Sequence, residues 1–224
     1  MIAMLTLVPT PIGNLEDITL RAIQSLKNCD LVIAEDTRKS GLLLRHLGIE
    51  KPLQSFHTAN EHKMVERLVE RISAGLHACL VSDAGTPAIS DPGFLLVREA
   101  LKAGIEVQCL PGPTAFVPAL VASGLPCERF CFEGFLPHKK GRQTRLKELS
   151  EENRTMVFYE SPHRILKALN EFVEYFGPDR RACLSREISK MYEEHIRGTL
   201  SEIVQRCQEK EIKGEVVMVI QGKS

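Results

Sequence analysis

The sequence has no tryptophan, and aromatic residues make up only 5% of its 224 positions. Proteins that hold single-stranded nucleic acid by stacking its bases on aromatic side chains usually carry more of them. An excess of positive charge is also missing, because 29 lysines and arginines are balanced by 29 aspartates and glutamates. This composition disfavours a protein that binds phosphates over its whole surface, so any nucleic-acid contact must depend on a local patch.

No apolar run approaches the roughly 20 residues that a membrane-spanning helix needs. The segment before the first predicted strand is too short for the apolar core of a signal peptide, so we expect a cytoplasmic protein. The seven cysteines are irregularly spaced, which favours free thiols over disulfides. Cys127, Cys131 and His138 could be combined as zinc ligands, but no second close-spaced pair completes such a site, and we expect no metal.

Short apolar runs alternate with amphipathic stretches in the first half of the chain. Strands are predicted at residues 5–8, 31–34, 53–56, 78–81 and 105–110. Residues 65–72 carry apolar side chains at helical spacing, and Gly75 predicts where that helix ends. Asp91 followed by Pro92 predicts the N-cap and first turn of another helix. Strands separated by helices indicate an α/β fold with a mostly parallel sheet.

The composition changes near residue 137, where a basic stretch at 138–145 leads into charged and polar sequence. We therefore predict an N-terminal domain at 1–137 and a C-terminal domain at 138–224. The second domain carries predicted strands at 156–159, 182–185 and 215–220 and predicted helices at 165–176 and near Ile203. The basic stretch could contact phosphate groups or could be a solvated linker.

Glycine and proline gather in segments that directly follow predicted strands. These segments are residues 10–14 after the first strand, 82–93 after the fourth and 111–115 after the fifth. Because the carboxyl ends of parallel strands share one edge of a sheet, we expect the three segments to converge there. Each alone could be a simple turn, but three together predict a binding cleft.

The expected cleft contains neither of the common glycine motifs that bind phosphates, G-x-x-x-x-G-K-[ST] and G-x-G-x-x-G. Acidic residues lie in or beside its loops instead, namely Glu16, Asp17, Glu35, Asp36, Asp83 and Asp91. Such a site suits a ligand with cationic or zwitterionic groups better than a triphosphate. Helix capping accounts for Asp91.

The segments at residues 8–15, 34–38, 81–93 and 111–115 resemble the cofactor loops of the tetrapyrrole methylase superfamily. Further matches lie at residues 158–164, at 186–190 and at 214–215, so the resemblance covers nearly the whole chain. Methylases that act on small tetrapyrroles usually carry Gly-Asp-Pro where this chain has Gly85-Thr86-Pro87, and Gly-Pro-Gly-Asp-Pro where it has residues 10–14. Both departures indicate the branch of the superfamily that methylates ribosomal RNA.

The resemblance implies two α/β domains, with a mostly parallel sheet in the first and a mixed sheet in the second, assembled as a homodimer. It implies S-adenosylmethionine as the cofactor, bound in a cleft between the domains. Motif matching assigns cofactor contacts to Pro11, Ala84, Gly85, Thr86, Ile89, Thr114 and Ala115 in the first domain, and to Glu160 and Ile188 in the second. The implied activity is 2'-O-methylation of the ribose of a decoding-site cytidine, nucleotide 1402 of 16S ribosomal RNA, which makes the small ribosomal subunit the expected partner.

Methyl transfer from a sulfonium needs no metal, but a ribose 2'-hydroxyl needs a base or a cation that stabilises the developing alkoxide. The candidates are Glu160, Glu187 and Lys190. We favour Lys190 as the alkoxide stabiliser and Glu160 as a base or a group that orients the cofactor. It is equally open that Glu160 only holds the cofactor and that Lys190 pairs with a nearby acid. Residues 35–38 could line the substrate side instead.

Two alternatives remain at this point. One is a methyltransferase that acts on a small tetrapyrrole-like substrate with the same cofactor. The other is a non-enzymatic RNA-binding or ribosome-assembly module, which would bind RNA without binding the cofactor.

Overall fold

The computed structural model describes residues 3–223, and within them the strands form two sheets of five. The chain divides into two compact units, Met1–Thr114 and Ala115–Ser224. This division falls earlier than the domain boundary expected after residue 137. The reason is that the helix Phe116–Ser123 buries Ala119 and Leu120 in an apolar cluster with residues of the second sheet, and the strand Phe130–Phe135 belongs to that sheet.

The first unit contains five parallel strands. In chain order its elements are β1 (Met4–Leu7), α1 (Leu20–Asn28), β2 (Leu31–Ala34), α2 (Thr37–His46), β3 (Leu53–Ser55), α3 (Glu61–Ser73), β4 (His77–Val81), α4 (Phe94–Lys102) and β5 (Glu106–Cys109). The strand order is β3-β2-β4-β1-β5, with every neighbouring pair parallel. The predicted parallel sheet is therefore confirmed.

The three central strands of the first sheet, β2, β4 and β1, are buried on both faces. In β2, Ile33 joins the apolar cluster on one face while Val32 joins the cluster on the other, and Leu80 and Cys79 divide in the same way in β4. Strands covered on both faces read as continuous apolar runs, which is why they could be recognised in the sequence.

The helix predicted around residues 65–72 is confirmed, but the predicted N-cap of the next helix is wrong. Helix α4 begins at Phe94, and its N-cap is Gly93 at φ 142°, without a side-chain cap. A Cβ at Gly93 would lie 3.0 Å from Leu80 Cδ2 and 3.1 Å from Ala88 Cβ, so close packing against β4 sets where the helix begins. The side chain of Asp91 therefore does not cap α4.

The second unit has a mixed sheet, as expected. Its elements are α5 (Phe116–Ser123), β6 (Phe130–Phe135), α6 (Arg142–Ser150), β7 (Thr155–Glu160), α7 (Ile165–Phe176), β8 (Arg181–Arg186), β9 (Glu194–Thr199), α8 (Leu200–Glu209) and β10 (Val216–Ile220). The order is β6-β7-β10-β8-β9, in which β6 and β7 are parallel and the other pairs antiparallel. The two edge strands, β6 and β9, are absent from the sequence prediction because their patterns are polar or interrupted, as edge strands often are.

The basic stretch at 138–145 is not a linker throughout. From Arg142 onward it is helix α6, and Arg142 itself is buried, with a guanidinium nitrogen 2.6 Å from Glu171 Oε2. Arg145 pairs with Glu133 at 2.8 Å. Much of the expected positive charge is therefore neutralised within the unit. No helix among residues 3–223 combines the length and the apolar character that crossing a membrane requires.

Candidate functional site

Three loops converge at the carboxyl edge of the first sheet, because β4, β1 and β5 are neighbours there. We call residues 9–14, 82–89 and 110–114 the loop cluster. Thr10 and Gly85 exchange two backbone hydrogen bonds of 2.9 Å, and the Thr10 hydroxyl donates to the Ser82 carbonyl at 3.1 Å. The Thr86 hydroxyl donates to the carbonyl of Pro113 at 3.1 Å. The convergence expected from the sequence is thus an arrangement of direct bonds between loops.

Two glycines allow the loops to approach so closely. Gly85 has φ +84°, a conformation that side chains disfavour, and a Cβ there would lie 3.6 Å from Ile12 Cγ2. A Cβ at Gly112 would lie 2.7 Å from Pro9 Cβ, which is closer than real carbon contacts permit. The contact between Gly112 and Pro9 therefore sets the spacing between the loops that follow β1 and β5.

If the loop cluster binds S-adenosylmethionine, as the resemblance implies, replacing Gly112 with alanine should weaken that binding about tenfold, because an added methyl group in a packed contact costs about 1–3 kcal/mol. Calorimetric titration with the cofactor measures the effect. Gly41→Ala is the matched control, since its Cβ would meet Leu53 Cδ1 at an ordinary 3.5 Å. Equal affinity in Gly112→Ala and wild type would show that loop spacing does not govern cofactor binding.

The structure brings together the cofactor residues predicted in the first unit. Ala84 is exposed, while Pro11, Thr86 and Thr114 are half-buried and Gly85 is buried. Ile89 is held outward, with 37% of its surface exposed, between Ala88 and Ser90, which both have left-handed backbone angles (φ 68° and 62°). The remaining predicted residue, Ala115, is the first residue of the second unit.

Three carboxylates lie near one another at the loop cluster: Asp83 belongs to it, and Glu35 and Asp91 lie beside it. Asp83 accepts hydrogen bonds from the backbone N–H of Asp36 at 3.0 Å and from Lys39 Nζ at 2.7 Å. Burial raises the pKa of Glu35, and the charge of Asp83 adds to that effect. Burial also raises the pKa of Asp91 to about 7, helped by the charges of Glu35 and Asp83. Asp91 is therefore a carboxyl group that can hold its proton near neutral pH, a role that the sequence analysis missed.

This shift makes stability depend on pH. The unfolded chain loses the Asp91 proton near the ordinary value of 3.8, whereas the folded protein keeps it until about pH 7. Between those two pH values the folded state binds more protons than the unfolded state. The free energy of unfolding therefore falls as pH rises through this range. Above pH 7 Asp91 is ionised in the folded protein, and its destabilising effect is complete. The stability of Asp91→Asn relative to wild type should therefore be greater at about pH 8 than at about pH 4. Urea unfolding at both values measures the change, and a pH-independent difference would contradict it.

In the second unit, Lys190 lies in the turn that follows β8 and is held by two acids. Its Nζ is 2.9 Å from Glu187 Oε1 and 2.9 Å from Glu215 Oε2. Burial lowers the pKa of Lys190, but the two carboxylates outweigh that effect and raise it. The hydrogen bond from Lys190 in turn lowers the pKa of Glu187. Lys190 is thus a fixed cation, and Glu187 is its partner.

A chain of side chains that the sequence analysis missed holds the same turn. Ser185 Oγ lies 2.8 Å from His195 Nδ1, and His195 Nε2 lies 2.9 Å from Glu193 Oε1. The other oxygen of Glu193 accepts the backbone N–H of Ser189 at 2.7 Å. Ser189 and Glu187 have left-handed backbone angles on either side of Ile188, a predicted cofactor residue. This chain therefore fixes the conformation of the turn that presents Ile188 and Lys190.

Glu160, at the end of β7, is 6% exposed and is surrounded by hydrogen-bond donors. Its Oε1 accepts from the Ser161 backbone N–H at 2.8 Å and from Arg164 Nε at 2.9 Å, and its Oε2 lies 3.8 Å from a guanidinium nitrogen of Arg142. Arg164 also contacts His138. Such a carboxylate has little free surface for a substrate, so the geometry favours an orienting role over that of a base.

The chain matches the family described as Tetrapyrrole (Corrin/Porphyrin) Methylases over residues 4–204. Curated relatives named ribosomal RNA small subunit methyltransferase I include those of Pasteurella multocida, 49% identical over 98% of this chain and 79% of the relative, and of Thermotoga maritima, 46% identical over 98% of this chain and 99% of the relative. The relative from Escherichia coli O157:H7 is 48% identical over 97% of this chain and 77% of its own length.

Solved structures share the fold at low sequence identity. A diphthine synthase superimposes with a TM-score of 0.77 at 16% identity, covering 99% of this chain and 90% of its own. A uroporphyrin III C-methyl transferase from Thermus thermophilus gives 0.67 at 20% identity, with 97% of both chains covered.

Proposed function

Because the chain belongs to the tetrapyrrole methylase family, we propose that it transfers a methyl group from S-adenosylmethionine to a ribose 2'-hydroxyl in small-subunit ribosomal RNA. The names of the curated relatives that are 46–49% identical over nearly the whole chain support the ribosomal substrate. The structural observation that carries the proposal is the loop cluster, in which three loops are bonded to one another at one edge of a parallel sheet. We further propose a decoding-site cytidine as the acceptor, a homodimer as the assembly and the cytoplasm as the location.

Two features of the loop cluster support this cofactor. Gly85 lies between Ile12 and the Pro113 carbonyl, and any side chain at that position would narrow the space between the loops. The neighbouring carboxylates suit a ligand whose reactive centre is a cationic sulfonium. In the proposal, Pro11, Ala84, Gly85, Thr86, Ile89, Thr114 and Ala115 hold the cofactor, together with Glu160 and Ile188.

When bound, the cofactor supplies an electrophilic methyl group. The chain must align the acceptor oxygen with that group and stabilise the negative charge that the oxygen develops. Lys190 performs the second task in the proposal, since Glu187 and Glu215 keep it protonated and fix its Nζ. Glu160 and its two arginines keep the end of β7 in place.

The test uses the full-length protein, S-adenosylmethionine with a labelled methyl group, and small ribosomal subunits from cells that lack this protein. Label in the ribose of a single cytidine is the expected result. Transfer to a uroporphyrin-type tetrapyrrole instead would favour the small-molecule alternative. RNA binding without cofactor binding in calorimetry, even at millimolar cofactor, would favour the non-enzymatic module.

A further inference from the structure

The strand order leaves one side of the carboxyl edge outside the loop cluster. The cluster occupies the ends of β4, β1 and β5, whereas the loops that follow β2 and β3 lie on the other side. The long loop after β4, residues 82–93, borders both sides of this edge. Its first half bonds to the loop after β1, and its second half, with the start of α4, lines a cavity of about 410 Å³ together with the loop between β3 and α3. The cavity thus adjoins the proposed cofactor site without being part of it.

The cavity wall contains an exposed aromatic ring. Phe94 is the first residue of α4, and 65% of its surface is exposed in a chain that has only nine phenylalanines. The guanidinium carbon of Arg98 lies 5.6 Å from the centre of the Phe94 ring. Aromatic rings and guanidinium planes are the surfaces on which proteins stack unpaired RNA bases. Helix α4 buries Leu96 and Ala100 for its own packing, so the exposure of Phe94 is not needed by the fold.

The cavity wall also contains groups that can hydrogen-bond to a nucleotide. Asp91 is half-buried in this wall, close enough to Glu35 and Asp83 for their charges to act on it. His62 and Arg98 stand at the rim, where Arg98 also pairs with Glu99 at 2.8 Å. A carboxyl oxygen accepts a hydrogen bond from the exocyclic amino group of cytosine, and uracil offers an oxygen at that position.

We propose that this cavity is the subsite for the acceptor nucleotide, with the cytosine base against Phe94 and its amino group on Asp91, an inference that rests on the proposed function. The same loop after β4 forms a wall of both the cavity and the loop cluster, so the proposal seats the ribose on the side of the cluster. Asp91 is then a specificity-determining residue, and Phe94 is the stacking platform.

The first experiment compares Phe94→Ala, Phe94→Tyr and Leu101→Ala with wild type. Leu101 is an exposed residue of the same helix and serves as the control. Loss of one stacking contact should raise KM for small ribosomal subunits about tenfold in Phe94→Ala. The Kd for S-adenosylmethionine should stay at the wild-type value, and Phe94→Tyr should restore KM. An unchanged KM in Phe94→Ala, with cofactor binding intact, would overturn the subsite.

The second experiment measures base selection. Two rRNA fragments that differ only in cytidine or uridine at the acceptor position are methylated by wild type and by Asp91→Asn above about pH 8, where the Asp91 carboxyl group is ionised and can only accept hydrogen bonds. An asparagine carries both a donor and an acceptor, so it can pair with either base. The ratio of kcat/KM for cytidine over uridine should fall about tenfold in the variant. An unchanged ratio would overturn the role of Asp91.

The two levels of proposal fail differently. If wild type methylates rRNA but the Phe94 and Asp91 variants behave like it, only the subsite is wrong. If wild type transfers no methyl group to small subunits or to either fragment, the proposed function and the subsite fall together.

Discussion

Replacing Lys190 with alanine is expected to lower turnover about 100- to 1,000-fold, the usual cost of removing one group that stabilises a developing oxyanion. In the proposed mechanism, the acceptor oxygen would lose the cation that stabilises its developing negative charge. Two carboxylates, Glu187 and Glu215, would also be left without the ammonium that lies 2.9 Å from each. Single-turnover kinetics at saturating cofactor measure the effect on the chemical step.

The same variant should bind S-adenosylmethionine as wild type does, because the predicted effect concerns charge on the acceptor. Lys213→Ala is the control, since Lys213 is an exposed lysine of the same unit that lies 3.6 Å from Glu211. Because the pKa of Lys190 is raised, this residue should contribute no pH dependence near neutrality. If Lys190→Ala kept the turnover of wild type, Lys190 would have no catalytic role and would serve only as the ion-pair partner of Glu187 and Glu215.

Replacing Glu160 with alanine should destabilise the second unit by about 3 kcal/mol, because removing one member of a buried ion pair leaves the other charge uncompensated. Arg142, also buried, would retain only its contact with Glu171 among the ion pairs described for it. Arg164 would lose both the 2.8 Å and the 2.9 Å contacts that hold it to Oε1. Urea denaturation followed by circular dichroism measures the loss.

Glu148→Ala provides the comparison, since Glu148 forms an exposed pair with Arg145 whose loss should cost less than about 1 kcal/mol. Cofactor titration of folded Glu160→Ala separates the two roles left open by the sequence. If stability were retained while cofactor affinity fell, Glu160 would be a ligand of the cofactor and its arginine contacts would be incidental. If both were retained, neither role would stand.

The part of the fold that the sequence predicts is the part whose pattern follows from burial alone. Strands β2 and β4 are apolar on both faces, and their positions were predicted to within a residue or so. Strand β9 carries Glu194, His195 and Arg197 at the edge of its sheet and has no apolar period to detect. The hydrogen-bonded chain from Ser185 to Glu193 could not be foreseen, because it depends on the register that pairs Ser185 with His195.

Part of the candidate site could likewise be predicted from the sequence, and part of it could not. Convergence of the loops follows from strand direction, which the alternation of strands and helices already indicates. Asp91 was misassigned because Asp-Pro is a common helix start, whereas here the tight packing at Gly93 moves the start of α4. No local sequence pattern could show that the Asp91 carboxyl group lies near Glu35 and Asp83. Glu35 follows β2, whereas Asp83 and Asp91 follow β4, so their proximity depends on how the two strands pair.

Among residues 3–223, four non-glycine residues have left-handed backbone angles, namely Ala88 and Ser90 on either side of Ile89 and Glu187 and Ser189 on either side of Ile188. Each carries a conformational strain of about 1 kcal/mol or more that the surrounding hydrogen bonds must sustain. Replacing any of these residues with glycine would relieve that strain, so such substitutions are expected among variants selected for heat tolerance. In the proposal Ile89 and Ile188 contact the cofactor, so a glycine beside either one would make its position less fixed, and the more stable variant would be expected to turn over more slowly.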